Sequence, residues 1–174
     1  YYGHLAALWL GIPGSLADQS TTIAPEKLLD LAAAPSAQRI YELRALGETL
    51  EARREWFQLI KPFSTTELRI AAALASQWLW HDMAIATLAQ AQAWDEVRER
   101  FPRPYAARFT EAARTQGVPV TLAMAVARRE SGFWTDARSP VGAQGLMQLM
   151  PRTAQSVAKS IALDSPTDLV LTQA

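Results

Sequence analysis

The chain has 174 residues, 49% of them hydrophobic, and its 17 basic side chains cancel its 17 acidic ones. That length allows one sizeable core or two smaller units, and the neutral, apolar-rich balance argues against a disordered tail or a polycationic nucleic-acid surface. No cysteine is present, which excludes disulfide staples, thiolate zinc sites and a cysteine nucleophile. Arg, Glu, Gln or His interrupts each Ala/Leu-rich segment, so no apolar run approaches the roughly 20 residues of a transmembrane helix.

The ends and the two histidines add little chemistry. The first residues, YYGHLAALWL, show no initiator Met, no basic leader region and no cleavage pattern, and read as a processed or fragment end from which an export signal would already be gone. The last, DLVLTQA, are apolar with no Gly or Pro to stop a helix, as though an element were cut. His4 and His81 stand far apart. Each reads as a half-buried helical residue, and neither a metal nor a cofactor is expected.

From there on, apolar residues recur at helical spacing, through Leu28, Leu29, Ala32 and Ala33, then Ile40, Leu43, Leu46 and Leu50, then Ile70, Ala73, Leu74, Ala75 and Trp78. Strand-like alternation is scarce. Breaks fall at Pro13-Gly14, Ala24-Pro25, Ala34-Pro35, Lys61-Pro62 and from Phe101 to Pro104, which predicts short helices joined by tight turns and an all-α fold. Two stretches echo each other, LRALGETLEARREWFQLI from Leu43 and AALASQWLWHDMAIATLAQ from Ala72. Each reads as helix, turn, helix, with small residues (Ala45, Ala52; Ala75, Ala84) among bulky ones (Trp56, Trp80), the composition of a solenoid of paired helices and equally of an ordinary antiparallel bundle. The segment RERFPRPYAARF forbids a continuous helix and starts a new pattern with Tyr105, Phe109 and Ala112. We place the boundary near Arg100, giving units 1–99 and 100–174.

Gly117 is expected to end one helix and Pro119 to fit the first turn of the next. In PVTLAMAVARRES, the residues Leu122, Ala123, Val126, Ala127 and Glu130 share a stripe, so the Glu130 carboxylate is expected to leave the core face near the helix C-terminus. Desolvation and the negative end of the helix would both favour its protonated form there, the condition of a general acid. The plainer reading is a cap, or an ion pair with Arg128, Arg129 or Arg138. Downstream, Ser131-Gly132 can end the helix, Ser139-Pro140 opens a turn, and Gly142 and Gly145 bracket a loop whose backbone can approach a ligand. Met147, Leu149 and Met150 surround Gln148 with apolar surface before Pro151 starts another helix. Such a floor suits a sugar, although core packing is the simpler role for Met147 and Leu149.

Glu130-Ser131, followed by Ser139-Pro140-Val141-Gly142-Ala143-Gln144-Gly145-Leu146-Met147-Gln148-Leu149-Met150-Pro151-Arg152-Thr153-Ala154, resembles the catalytic domain of family 1 (Slt-type, soluble) lytic murein transglycosylases. The resemblance covers roughly Arg100 to the end, and the preceding helices resemble that family's superhelical linker. It implies a helical superhelix followed by a lysozyme-like domain, with Glu130 as the single acid/base that cleaves between N-acetylmuramic acid and N-acetylglucosamine and closes a 1,6-anhydro ring. Ser139 and Gln148 then correspond to cleft-lining groups and Met150 to an apolar residue of the floor. The absence of an obvious second carboxylate agrees, since Asp136 sits in a polar turn and paired-acid glycosidases need two. The implied partners are peptidoglycan glycan strands and other cell-wall enzymes, and the implied location is the periplasm. The family's domain continues with an AAYNAGP-like segment that this sequence lacks, so an incomplete cleft is expected. A lysozyme-like hydrolase, as in goose-type lysozymes, and a non-catalytic helical module that binds glycan or protein remain alternatives.

Overall fold

Proline opens three of the helices, because its fixed φ suits the first turn and its missing N–H is not needed there. In the computed structural model, which describes residues 2–12 and 20–161 (side chains from residue 6 onward), Pro25, Pro35 and Pro151 each stand at a helix start. Among the described residues the helices are α1 (Tyr2–Leu10), α2 (Pro25–Ala33), α3 (Pro35–Ala45), α4 (Thr49–Ile60), α5 (Thr65–Gln77), α6 (His81–Gln90), α7 (Val97–Arg100), α8 (Ala106–Gln116), α9 (Val120–Ser131) and α10 (Pro151–Ser160). No strand forms among them, only two isolated antiparallel bridges. The expected break at Pro13-Gly14, the DLVLTQA terminus and the His4 side chain lie outside the described residues.

The chain divides into two compact units, Tyr1–Phe101 and Pro102–Ala174. In the first, α3 pairs with α4 and α5 with α6, and α2 packs on α5. The two echoing sequences are these two hairpins, and they close by one hydrogen-bond pattern. After α3, Leu46, Gly47 and Glu48 donate their N–H groups to the carbonyls of Glu42, Arg44 and Leu43. After α5, Trp78, Leu79 and Trp80 donate to Leu74, Ser76 and Ala75 in the same register. A third copy follows α6, from Ala91, Gln92 and Ala93 to Thr87, Ala89 and Leu88. This is the Schellman closure, whose middle residue adopts the left-handed conformation. Glycine holds that place once, Gly47 at φ 82°, while Leu79 (φ 56°) and Gln92 (φ 52°) hold it at a steric cost.

The core of this unit is aromatic. Trp56 is fully buried, its ring edge-on to Trp80 at 5.5 Å and to Trp78 at 6.0 Å. Its indole N–H donates to the buried Thr87 hydroxyl at 3.0 Å, joining α4 to α6. Ala71, Ala72, Ala75 and Ala84, all fully buried, let the helices approach closely around these rings. Arg44 lies over the Trp80 ring at 4.6 Å and donates to the Trp78 carbonyl, and Arg53 pairs with the buried Asp82. Burial pushes the Asp82 carboxyl up despite that partner. Elsewhere, Arg69 engages Asp95 and Glu96, and the Glu96 carboxylate also accepts the Thr21 N–H, tying the extended segment before α2 to α5 and α7.

Two expected stripes run too far. Leu46 and Leu50 are 77% and 57% exposed because the chain turns between them, and Leu29 is 69% exposed on the outer face of α2. In the second unit α8 packs on α9, and the edge-on pair of Phe109 and Phe133 lies within it, with ring centroids 6.4 Å apart.

Candidate active site

Gly117 closes α8 in the left-handed conformation, and Pro119 then takes the extended N-cap position of α9, one place ahead of the first-turn position expected from the sequence. The buried face of α9 runs through Met124 and Ala127, with Ser131 half-buried. That face is turned about 100°, one residue step, from the stripe counted through Leu122. Leu122 is accordingly 56% exposed, and Glu130 is exposed as well. The apolar enclosure expected around the Glu130 carboxyl is therefore not formed by the described residues. No hydrogen bond or ion pair engages that carboxylate among them either, so the capping and Arg-pairing alternatives are not realised.

After Glu130 the backbone turns hard. Gly132 (φ 62°) and Phe133 (φ 71°) are both left-handed, and the Gly132 N–H returns to the Arg128 carbonyl. For Phe133 this conformation costs of order 1 kcal/mol or more, offset by the burial of its ring, which is only 4% exposed. The Ser131 hydroxyl sits at the turn. It accepts the Phe133 N–H at 3.1 Å and has two carbonyls in donating reach, Ala127 on its own helix at 3.1 Å and Leu146 in the loop at 2.9 Å.

That loop, residues 137–149, is a small fabric of backbone hydrogen bonds. Ser139 donates its N–H to Ala143, and Gly142 donates back to Ser139, with Gly142 at φ 91°. The Ser139 hydroxyl oxygen accepts the Ala143 N–H at 2.9 Å, which leaves its proton to donate. Gln144 and Leu149 exchange both of their bonds at 3.0 Å, and the turn between them closes from the Gln148 N–H to the Gly145 carbonyl. Gln148, at φ 47°, spends its side-chain amide inward, with Nε2 donating to Ala137 at 3.1 Å and to Gly145 at 3.0 Å. Its Oε1 is what remains to meet a ligand. The buried Gln144 Oε1 has no donor among the described residues. Met150, 42% exposed, caps α10, beside which Ala154 is buried.

The structure thus gathers Ser139 and Gln148 into one loop and links that loop to the end of the helix carrying Glu130 through Ser131. Asp136 is exposed in the intervening turn, as the sequence suggests. Reading the sequence missed the bridging role of Ser131, since a serine in a last helical turn ordinarily bonds only to its own helix. Among the described residues there is no cluster of three or more metal-ligating side chains, and no helix is long and apolar enough to cross a membrane.

Each of the two units matches a known domain. The "Soluble lytic murein transglycosylase L domain" matches residues 30–97, and the "Transglycosylase SLT domain" matches residues 107–171. The chain is 36% identical over 129 residues to the soluble lytic murein transglycosylases of Escherichia coli K12 and Salmonella typhimurium. Those alignments take in 74% of this chain and 20% of either relative, so the chain spans about a fifth of their length. Among solved structures, an inactive mutant of the lytic transglycosylase Slt from Pseudomonas aeruginosa superposes with a TM-score of 0.90 at 37% identity, over 98% of this chain and 28% of that one. The 70 kDa soluble lytic transglycosylase of Escherichia coli gives 0.87 at 32% identity, over 99% and 28%. The fold is that of a helical superhelix with a lysozyme-like domain. The chain belongs to the Slt-type soluble lytic murein transglycosylase family.

Proposed function

We propose that this chain carries the catalytic acid of a peptidoglycan lytic transglycosylase, with residues 1–99 as superhelical linker and 100–174 as the first half of the catalytic domain. The observation that carries this reading is an accessible carboxylate, Glu130, engaged by no described residue and ending a helix bonded to the loop that bears Ser139 and Gln148 and leads into Met150. Glu130 protonates the glycosidic oxygen as the bond from C1 of N-acetylmuramic acid to that oxygen breaks. The resulting carboxylate takes the proton of the muramyl C6 hydroxyl while O6 bonds to C1. The 1,6-anhydro ring closes, Glu130 regains its proton, and no water is consumed. One carboxyl suffices because the substrate supplies the nucleophile, whereas a hydrolase of the paired type needs a second acid. The Ser139 hydroxyl donates to a sugar oxygen, the Gln148 Oε1 accepts from a hydroxyl or acetamido N–H, and Met150 gives the sugar ring an apolar surface.

Family membership supports this assignment, as does the Pseudomonas relative, which is described as inactive with one glutamate changed to glutamine. The Escherichia coli enzyme has been solved with bulgecin A bound. Peptidoglycan strands are then the substrate, the periplasm the place of action, and other cell-wall enzymes the partners to seek. Mass spectrometry of muropeptides released from purified peptidoglycan by the longest natural form carrying this sequence tests the reading. Anhydromuramyl ends are expected. Reducing ends would identify a hydrolase, and no release at all would identify a binding module. Glu130→Gln keeps size and hydrogen bonding but removes the proton, and should slow turnover by about 10²–10⁴; turnover near the wild-type rate would overturn the assignment.

A further inference from the structure

The Ser131 hydroxyl has one proton and two acceptors. The Ala127 carbonyl, four residues back, is the bond any serine near a helix end can make, and it lies at 3.1 Å. The Leu146 carbonyl, fifteen residues ahead and inside the loop, lies nearer at 2.9 Å. The same oxygen accepts the Phe133 N–H, holding a non-glycine residue in the left-handed conformation just past the helix. Ser131 therefore joins three things: the last turn of α9, the strained turn that leaves it, and the loop between Gly145 and Met147. It is itself the residue next to Glu130.

We propose that Ser131 is a positioning residue, which fixes the Glu130 carboxyl relative to the loop that receives the sugar by bonding the end of α9 to the Leu146 carbonyl. The inference rests on the reading of Glu130 as acid/base and deepens it. Since Glu130 is exposed and its carboxylate is engaged by no described side chain, its placement depends on the backbone that carries it. That backbone ends one residue later, at a turn whose geometry is held through Ser131. Small displacements of a catalytic group lower the rate of the chemical step more than the affinity for substrate, so Ser131 governs kcat. It does not touch the substrate.

The test compares Ser131→Ala, Ser131→Thr and Ser131→Cys with wild type and with Glu130→Gln, in the longest natural form carrying this sequence, by steady-state release of muropeptides and by thermal melts. Ser131→Ala removes both the donor to Leu146 and the acceptor for Phe133, and should lower kcat about tenfold, with KM within twofold. Ser131→Thr restores the hydroxyl and should recover kcat to within about threefold. Ser131→Cys keeps the volume with a weak donor and acceptor, so it should melt near wild type and still lose several-fold in kcat. That last variant decides the matter even if Ser131→Ala does not fold. A well-folded Ser131→Cys with wild-type kcat, a folded Ser131→Ala with wild-type kcat, or a loss confined to KM would each overturn the proposal. Should Glu130→Gln be inactive while the Ser131 variants are unimpaired, the positioning role falls alone; should Glu130→Gln remain active, both fall together.

Discussion

Gln148 offers two chemically distinct ways to fail, and two substitutions separate them. Its amide nitrogen donates to the Ala137 and Gly145 carbonyls at 3.1 and 3.0 Å. Gln148→Met keeps length and removes both donors. Neither carbonyl is orphaned by the change, because Ala137 still accepts the Gly145 N–H and Gly145 still accepts the Gln148 N–H. The cost is then two ordinary hydrogen bonds without a desolvation penalty, about 1–3 kcal/mol in total, or a melting shift on the order of 4–8 °C per kcal/mol for a domain of this size. Gln148→Glu keeps the shape and the oxygen offered to a ligand, but it turns a donor into a carboxylate oxygen facing two carbonyls. It should destabilise more than Gln148→Met. Calorimetric melts of both variants beside muropeptide release give the answer. If Gln148 served only to contact the glycan, the order would reverse, with Gln148→Glu tolerated and Gln148→Met losing activity at unchanged stability; that result would refute the reasoning.

Thr87→Val is nearly isosteric but leaves the fully buried Trp56 indole N–H without its acceptor, and should cost about 1–3 kcal/mol, read as a lowered urea midpoint; Thr87→Ser should retain most of the stability. His81 is half-buried, its Nδ1 is enclosed without a partner among the described residues, and burial holds its pKa below the ordinary value although Asp82 pulls the other way. The unfolded chain therefore takes up the proton more readily than the folded one. Stability from this group is present above about pH 6.5 and is lost as the pH falls from there through the folded-state value. Urea midpoints measured from pH 7.5 down to 5 should decline less in His81→Gln than in wild type.

Much of the architecture was readable because its signals are local. Pro25, Pro35 and Pro151 start helices wherever they fall, and the clustered prolines between Phe101 and Pro104 interrupt the chain in any context. Other features depend on what the folded chain brings near. The face of α9 was misjudged because Leu122 continues an apolar stripe that no described neighbour covers, while Met124 and Ser131 lie toward the core side. Gln148 reads as a sugar contact because it is a polar residue among apolar ones, and its second role, inside the loop, is not legible there. Its amide is engaged by backbone carbonyls, which a sequence does not distinguish from one another. The turn near Leu79 was legible, but the left-handed residues at Leu79 and Gln92 were not, because the glycine that would announce them is present only at Gly47.

Those three closures bear on how the first unit acquires its structure. Each is made from backbone groups within seven consecutive residues, so a hairpin can shut before any distant segment has arrived, and the entropy of joining its two helices is small. A chain assembled from such short-range units folds quickly and tolerates partial opening at one end without collapse of the other. The loop around Gln148 differs, since its tie to α9 spans the fifteen residues between Ser131 and Leu146. Hydrogen exchange should therefore find the hairpins protected as separate blocks, and the loop amides of Gly145 and Leu149 exchanging together with the last turn of α9.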